Sequence, residues 1–243
     1  EALRIYESMP LAQLGALAHE RREQIVPGDS VTYLIDRNIN YTNVCNSDCS
    51  FCGFYRPHSR DPESYVLSRA QIGEKVEEAL ELGATRILLQ GGHNDDLPYD
   101  FYPEMIRWLT EEYQIELNAF SPSEIHQMHL VSGKPYDAIL RELKDAGMRG
   151  LPGGGAELLV DAVRKRVSPK KIGAEVWLEI MGLAQELDLT TTATMVIGFG
   201  ESEAERIEHL DRLRTLQGYS QRNGHEGFNA FISWPLQHNQ NTS

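Results

Sequence analysis

The stretch from Asp36 to Cys52 reads DRNINYTNVCNSDCSFC, a short β-rich run followed at once by a loop that carries every cysteine of the chain. Beyond it, short β-rich runs alternate with longer segments of helical periodicity. This order favours βα units around a parallel sheet over a β-sandwich or a helical bundle. We therefore predict an α/β fold whose first strand leads directly into the cysteine loop.

Six β-strands can be placed between the helical segments. They are predicted near residues 36–43, 86–90, 115–120, 148–151, 190–197 and 228–234. The intervening segments carry apolar side chains at helical spacing, as Ile72, Val76 and Leu80 do at i, i+4 and i+8. Three helix starts carry the spacing of a capping box, at Ser68 and Gln71, Ser121 and Glu124, and Ser202 and Glu205.

Composition and charge narrow the class of protein. The 243 residues include 23 Lys and Arg against 36 Asp and Glu, and the net charge of −13 argues against nucleic acid as a partner. No apolar run reaches the roughly 18 residues of a membrane span. Residues 1–10 lack the pattern of a secretory signal. We expect one cytoplasmic domain over residues 1–243, without membrane insertion.

The N-terminal part of the chain precedes the first predicted strand. Leu11, Leu14 and Leu17 recur at helical spacing and predict an amphipathic helix. Residues 1–30 are therefore expected to form a helical lead-in to the sheet.

The three thiols are spaced C-x3-C-x2-C at Cys45, Cys49 and Cys52, and the sequence has no fourth cysteine. A structural zinc site needs four closed ligands, and His58 would have to supply the fourth. Three thiolates on an iron–sulfur cubane leave one iron open instead. The position of the loop after the first strand, where barrel enzymes build their active sites, favours the cluster, and zinc remains the alternative.

The cysteine loop resembles that of the radical S-adenosylmethionine (SAM) superfamily, whose signature has this spacing and an aromatic residue, here Phe51, before the last cysteine. The resemblance implies an α/β fold of the radical SAM (β/α)6-type, a partial TIM barrel with a leading N-terminal helix. It implies a [4Fe-4S] cluster on Cys45, Cys49 and Cys52, whose open iron chelates SAM. Reduction of the cluster then cleaves SAM to a 5'-deoxyadenosyl radical.

Glycine-rich turns after the later strands are candidates for holding SAM. Gln90, Gly91 and Gly92 follow the second strand, where paired glycines allow a close backbone approach, although many such pairs are only turns. Residues 152–157 read PGGGAE and end in Glu157, which can accept hydrogen bonds from ribose or ammonium groups. A phosphate-binding loop is the alternative for this segment, but the Lys-Ser or Lys-Thr of a P-loop does not follow it.

Two further features bear on the SAM site. Ile197 and Gly198 partly match the superfamily segment that packs against adenine. Arg164 or Arg166 can pair with the SAM carboxylate through a bidentate fork, with solvated helix charges as the alternative. We take Phe51 as an additional aromatic contact of the cofactor.

Longer stretches resemble one family within this superfamily, the cyclic dehypoxanthinyl futalosine synthases of the futalosine route to menaquinone. The similarity extends over residues 31–242 and is carried by segments 36–43, 87–92, 119–122, 151–157 and 192–198. Aminofutalosine synthase and the deazaflavin synthase subunit of coenzyme F420 assembly are similar sister groups. Chains of this family usually continue further, so we expect a C-terminal part to be absent here.

The family resemblance also implies a reaction and its partners. The deoxyadenosyl radical takes hydrogen from the ribose C4' of dehypoxanthine futalosine, and the carbon radical then adds to the benzoate ring. A donor such as flavodoxin or ferredoxin supplies the reducing electron. Candidate substrate residues are Arg56 for the benzoate carboxylate, and His93 and Glu124 for acid–base roles. As alternatives, Glu124 is a capping-box acid and His93 an ordinary loop histidine.

Overall fold

A computed structural model describes residues 1–237. Its elements alternate in the βα order predicted from the sequence, after two N-terminal helices. The helices are α1 (Ala2–Ser8), α2 (Leu11–Ile25), α3 (Arg69–Glu81), α4 (Phe101–Glu112), α5 (Pro122–Ser132), α6 (Tyr136–Ala146), α7 (Asp161–Val167), α8 (Ala174–Glu186) and α9 (Glu203–Arg222). The strands are β1 (Asp36–Asn40), β2 (Arg86–Gln90), β3 (Glu116–Ala119), β4 (Gly150–Leu151), β5 (Thr190–Ile197) and β6 (Phe228–Pro235).

The strands form one sheet in chain order, β1 to β6, and every neighbouring pair is parallel. The register places the carboxyl ends of neighbouring strands side by side, as Asn40 opposite Gln90 illustrates. The loops that follow the strands therefore gather at one edge of the sheet, where barrel proteins build their sites. This architecture confirms the predicted α/β partial barrel.

The helices that follow the strands bury apolar side chains against the sheet. Ile87 of β2 and Leu117 of β3 belong to the same buried cluster as Ile106 of α4 and Ile125 of α5. All four side chains are essentially inaccessible to water. Burial of each contributes roughly 1.5–3 kcal/mol, which makes this layer the principal source of stability for the frame around the site.

The first strand is shorter than the sequence pattern predicts. It ends at Asn40 because the chain then leaves the sheet for two isolated bridges, antiparallel between Thr42 and Val66 and parallel between Val44 and Arg56. These bridges turn the chain toward the cysteine loop. The local β-pattern of residues 41–43 thus reflects pairing outside the main sheet.

The N-terminal segment forms two helices instead of the single predicted one, and Pro10 lies between them. Neither helix buries a residue against the rest of residues 1–237, and Leu11 is 83% exposed. The predicted helix at Leu11, Leu14 and Leu17 is present as α2, and its apolar side chains are not buried within residues 1–237. A hydrogen bond from Arg206 to the Tyr6 hydroxyl, at 3.0 Å, connects α1 to α9.

Two of the predicted capping boxes are confirmed, at the starts of α3 and α9, with both reciprocal hydrogen bonds present. At α5 only half of the motif forms. The Ser121 hydroxyl accepts from the Glu124 N–H, but the Glu124 carboxylate bonds to Tyr41 and Gly91 instead. The interpretation of Glu124 as a capping-box acid was therefore wrong, because Tyr41, just after β1, and Gly91, in the turn after β2, both donate to its Oε1.

Candidate active site

The cysteine loop leaves β1 and is held by backbone hydrogen bonds. The Cys45 N–H donates to the Arg56 carbonyl at 2.8 Å, and the Arg56 N–H donates to the Asn43 carbonyl at 2.8 Å. The Cys52 N–H donates to the Cys49 carbonyl at 3.1 Å. The loop is thereby closed on itself at the carboxyl edge of the sheet.

All three cysteines line one cleft at this edge. The turn after β2, the start of α5 and the loop before α8 form its other walls. Its lining also includes Phe51, Gln90, Gly91, Gly92, His93 and Glu124. The structure therefore brings together the predicted cluster ligands, the predicted Gly-Gly turn and two of the three candidate substrate residues.

The Gly-Gly turn lies directly against the cysteine loop. A Cβ at Gly92 would lie 2.1 Å from the Val44 carbonyl oxygen and 2.7 Å from the Cys45 Cβ. A Cβ at Gly91 would lie 2.5 Å from the Tyr41 ring. Such distances exclude a side chain at either position without movement of the loop. These positions need glycine because of the close approach of the loop, and not because of an unusual backbone angle.

Glu124 is a buried carboxyl group in the cleft. Its Oε1 accepts from the Tyr41 hydroxyl at 2.8 Å and from the Gly91 N–H at 2.9 Å. Burial raises the pKa of Glu124 to about 7, although the hydrogen bonds from Ser121, Gly91 and Tyr41 and the charge of Lys171 act in the opposite direction. A carboxyl group with this pKa can take up or release a proton near neutral pH.

His93 lies on the loop after β2 and is buried. Its Nδ1 lies 2.8 Å from the Ser47 Oγ, within the cysteine loop. Burial lowers the pKa of His93 to about 3, with smaller contributions from the charges of Lys171 and His126. The imidazole is therefore neutral at physiological pH, and it can exchange hydrogen bonds but is a weak proton acceptor.

Lys171 also lines the cleft, and sequence reasoning did not find it. Its Nζ lies 2.7 Å from Glu157 Oε1 and 5.8 Å from the centre of the Phe51 ring. Burial acts to raise the pKa of Glu157, but the charges of Lys171 and Arg164 outweigh it and hold that pKa below its usual value. Glu157 is therefore an ionised carboxylate between two cations.

The Arg164 guanidinium holds the PGGGAE segment by hydrogen bonds. It donates to the carbonyls of Gly155, Ala156 and Ile172 and contacts the Glu157 carboxylate. It is 3% exposed, so it is not a solvated helix charge. Within residues 1–237 these contacts engage its available N–H groups, whereas the exposed Arg166 donates to the Phe199 carbonyl.

Arg56 lies at the rim of the cysteine loop and is not among the residues that line the cleft. Its guanidinium pairs with Glu63 and with Asp61, and it also donates to the Tyr55 carbonyl. The structure thus separates Arg56 from His93 and Glu124.

A second cleft adjoins the first on the side of β5 and β6. Phe51, Gly154 and Gly155 line both, and Glu157 lines the second. The two clefts therefore share a wall formed by the cysteine loop and the PGGGAE segment.

The end of β5 forms the apolar side of this region. Ile197 packs with Phe51 and Phe199 on a small buried cluster, and the rings of Phe51 and Phe199 are 5.1 Å apart. Gly198 has a φ of 112°, a conformation that favours glycine, and its N–H donates to the Glu201 carboxylate at 3.1 Å. The predicted adenine segment therefore adjoins the predicted aromatic contact.

A model of the radical SAM superfamily matches residues 39–213, from β1 into α9. The chain belongs to the radical SAM superfamily. The predicted cofactors, a [4Fe-4S] cluster and SAM, are those of this superfamily, and the zinc alternative was wrong. The three thiols that line one cleft beside the glycine turn are donors of the chemical type that such a cluster requires.

Individual radical SAM proteins are similar over nearly the whole chain. Cyclic dehypoxanthine futalosine synthase of Halalkalibacterium halodurans is 42% identical over 98% of this chain and 63% of its own length. The enzyme 5-amino-6-(D-ribitylamino)uracil–L-tyrosine 4-hydroxyphenyl transferase of a Nostoc species is 41% identical over 87% of this chain and 55% of its own length. The chain thus spans less than two thirds of each relative. The resemblance to the cyclase family is confirmed, but relatives with another reaction are about equally similar.

Among solved structures, methylornithine synthase superposes with a TM-score of 0.72 over 99% of this chain and 65% of its own length. The two sequences are 16% identical, so this likeness shows the fold alone. Between residues 1 and 237, no helix combines the length and apolar character needed to cross a bilayer.

Proposed function

We propose that this radical SAM protein cyclises dehypoxanthine futalosine oxidatively to cyclic dehypoxanthine futalosine, a step of menaquinone biosynthesis. The observation that carries the proposal is 42% identity to a cyclic dehypoxanthine futalosine synthase over 98% of the chain. We place the reaction in the cytoplasm, with flavodoxin or ferredoxin as the donor of the reducing electron. The substrate is a small molecule, and no contact with nucleic acid is proposed.

The proposed cofactor site uses both clefts. Cys45, Cys49 and Cys52 hold the cluster, and Gly91 and Gly92 present backbone groups beside it. When bound, the cluster and SAM supply a 5'-deoxyadenosyl radical. The protein's part is to orient the reactants and exclude water.

The remaining SAM contacts are assigned from the second cleft. Glu157 serves the ribose, and Ile197 and Gly198 serve the adenine, beside Phe51. Lys171 is the ammonium group that lines the cleft, so we assign it the carboxylate of SAM in place of Arg164. Arg164 then acts indirectly, since its contacts hold the PGGGAE segment.

His93 and Glu124 are proposed to contact the substrate, because both line the cleft that contains the cysteines. Arg56 remains a candidate for the benzoate carboxylate only if it gives up its ion pairs with Glu63 and Asp61. Its side chain is 26% exposed, so we expect such an exchange to have a modest cost.

The second candidate function is the transfer of a 4-hydroxyphenyl group from L-tyrosine to 5-amino-6-(D-ribitylamino)uracil. It is supported by the 41% identity to the Nostoc transferase. Both reactions require the same cofactor site and differ in the substrate.

The test is anaerobic incubation of the reconstituted protein with SAM, dithionite and each substrate set in turn. Formation of cyclised product and 5'-deoxyadenosine with dehypoxanthine futalosine, and neither with tyrosine and the aminouracil, is the expected result. Products that form with tyrosine and the aminouracil, and not with dehypoxanthine futalosine, would favour the transferase. Cys49→Ala is the negative control, since it removes one cluster ligand and should abolish both activities.

A further inference from the structure

The carboxyl group of Glu124 is built into the cleft by its neighbours. The residue is 3% exposed and lies in the first turn of α5, where the Ser121 hydroxyl accepts its backbone N–H. Oε1 accepts from both the Tyr41 hydroxyl and the Gly91 N–H. Both of these bonds end on the same oxygen, and Glu124 lines the cleft that contains the cysteines. The carboxyl group is thus held in place by its neighbours while it faces the cleft.

Several titratable groups face Glu124 from the elements packed around it. Tyr41 approaches from the end of β1, Tyr102 from α4, and Lys171 from the loop before α8. His93, from the loop after β2, lines the same cleft but is neutral. Lys171 is already paired with Glu157, so it lowers the pKa of Glu124 less than burial raises it.

Other basic groups near the cysteines are less suited to receive a proton. The pKa of His93, lowered by burial to about 3, makes it a poor acceptor. Glu157 is held ionised by Lys171 and Arg164, and protonation would cost it both ion pairs. Glu124, with a pKa near 7, combines position and basicity.

We infer that Glu124 accepts the proton released when the cyclised substrate radical is oxidised. This inference rests on the proposed cyclase function. After one hydrogen atom has passed to the deoxyadenosyl radical and the ring has closed, a C–H bond at the attacked aromatic carbon breaks. Its proton goes to the Glu124 carboxylate, and the remaining electron goes to a one-electron acceptor of the iron–sulfur class. The substrate has then lost a pair of hydrogen atoms in total.

The decisive variant is Glu124→Gln. An amide oxygen can still accept from Tyr41 and Gly91, but the side chain cannot take a proton. Substrate-dependent 5'-deoxyadenosine should persist, whereas the cyclised product per deoxyadenosine should fall about 100-fold, as is typical for loss of a general base. In the unmodified protein, product formation should decline as the pH falls below about 7, because the carboxylate becomes protonated. The Glu124→Gln variant should not show this decline at low pH, the acid limb of the pH profile.

Tyr41→Phe is the companion variant and keeps the assignment testable if the glutamine variant does not fold. Removal of the Tyr41 hydroxyl deletes a hydrogen bond that lowers the pKa of Glu124, so the acid limb should move to higher pH. An unmoved limb would overturn the assignment.

Three results would overturn the role of Glu124. The first is a Glu124→Gln variant with the wild-type ratio of product to deoxyadenosine. The second is a Glu124→Gln variant that loses SAM binding and deoxyadenosine formation together, because this loss would indicate a purely positioning role. The third, no substrate-dependent deoxyadenosine in the unmodified protein, would overturn the cyclase proposal and this inference with it. The first two leave the cyclase proposal intact.

Discussion

The turn after β2 lies so close to the cysteine loop that a methyl group added to the turn would overlap the loop. Gly92 is in contact with the Val44 carbonyl and with Cys45, so the turn and the first cluster ligand share one small volume. A folded interior has little room to accommodate an added atom without displacement of its neighbours. At this scale, we expect cluster binding to depend on a glycine that contributes no functional group.

Gly92→Ala is expected to displace Cys45 and to lower the iron and sulfide bound per chain severalfold after anaerobic reconstitution. The matched control is Gly15→Ala in α2, where an added Cβ meets no atom within 4 Å in the described part of the chain. Metal and sulfide analysis with visible absorption measures the effect. Equal cluster content in both variants would contradict the steric argument.

Two adjacent lysines before α8 differ in the exposure of their side chains. The Lys171 side chain is 15% exposed and pairs with the buried Glu157, whereas the Lys170 side chain is 59% exposed and pairs with Asp48 at the surface. Lys171→Met should lower the free energy of unfolding by about 3 kcal/mol, because it leaves a buried carboxylate with less compensation. Lys170→Met should change it by less than about 0.5 kcal/mol. Anaerobic denaturant titration measures both, and equal values would refute the burial argument.

The difference between these lysines was not accessible from the sequence. Lys170 and Lys171 are neighbours of identical type, and neither belongs to a spacing pattern. Only the path of the loop decides which side chain turns inward. Cys45, Cys49 and Cys52, in contrast, share a recognisable local spacing, and the structure places all three in one cleft.

At the scale of elements, α9 supports the segment that follows β4. His209 of α9 is fully buried, and its Nδ1 accepts the Leu159 N–H at 2.9 Å. The bond requires a neutral ring, and burial lowers the pKa of His209 to about 4, with a smaller contribution from Arg164. A helix distant in sequence thereby fixes the backbone just beyond Glu157.

His209→Leu is expected to lower the free energy of unfolding at pH 8 by about 2 kcal/mol, since the Leu159 N–H is left buried and unpaired. The folded-state pKa of about 4 lies below the usual 6.5, so the unfolded chain binds more protons between these values. His209 therefore adds stability above pH 6.5 that is lost as the pH falls toward 4. Denaturant titrations across this range should show a shallower pH dependence for the variant, and an unchanged slope would contradict the assignment.

The sequence predicted elements well where the pattern was local. β2 and β5 begin and end as their β-rich runs indicate, and the caps of α3 and α9 follow from serine and its partner three residues on. The same cap signal at α5 was misleading, because Tyr41 and Gly91, far away in sequence, compete for the Glu124 carboxylate. Tertiary contacts of this kind leave no local pattern.

At the scale of the whole molecule, the parallel sheet in chain order brings every loop after a strand to the same edge. The cysteine loop after β1, the glycine turn after β2, Glu124 after β3 and the PGGGAE segment after β4 meet there as a consequence. The alternation of strands and helices was sufficient to predict this convergence. An N-terminal helix at Leu11 was also predicted, but its apolar spacing did not indicate whether a partner surface exists.

We propose that this site abstracts hydrogen from the substrate ribose and closes a ring. The most direct test uses dehypoxanthine futalosine deuterated at C4' in an anaerobic turnover with SAM and dithionite, followed by mass spectrometry. We predict one deuterium in 5'-deoxyadenosine and a cyclised product lighter than the substrate by that deuterium and one hydrogen. Deuterium-free 5'-deoxyadenosine, or deoxyadenosine that forms only with tyrosine and the aminouracil, would contradict it.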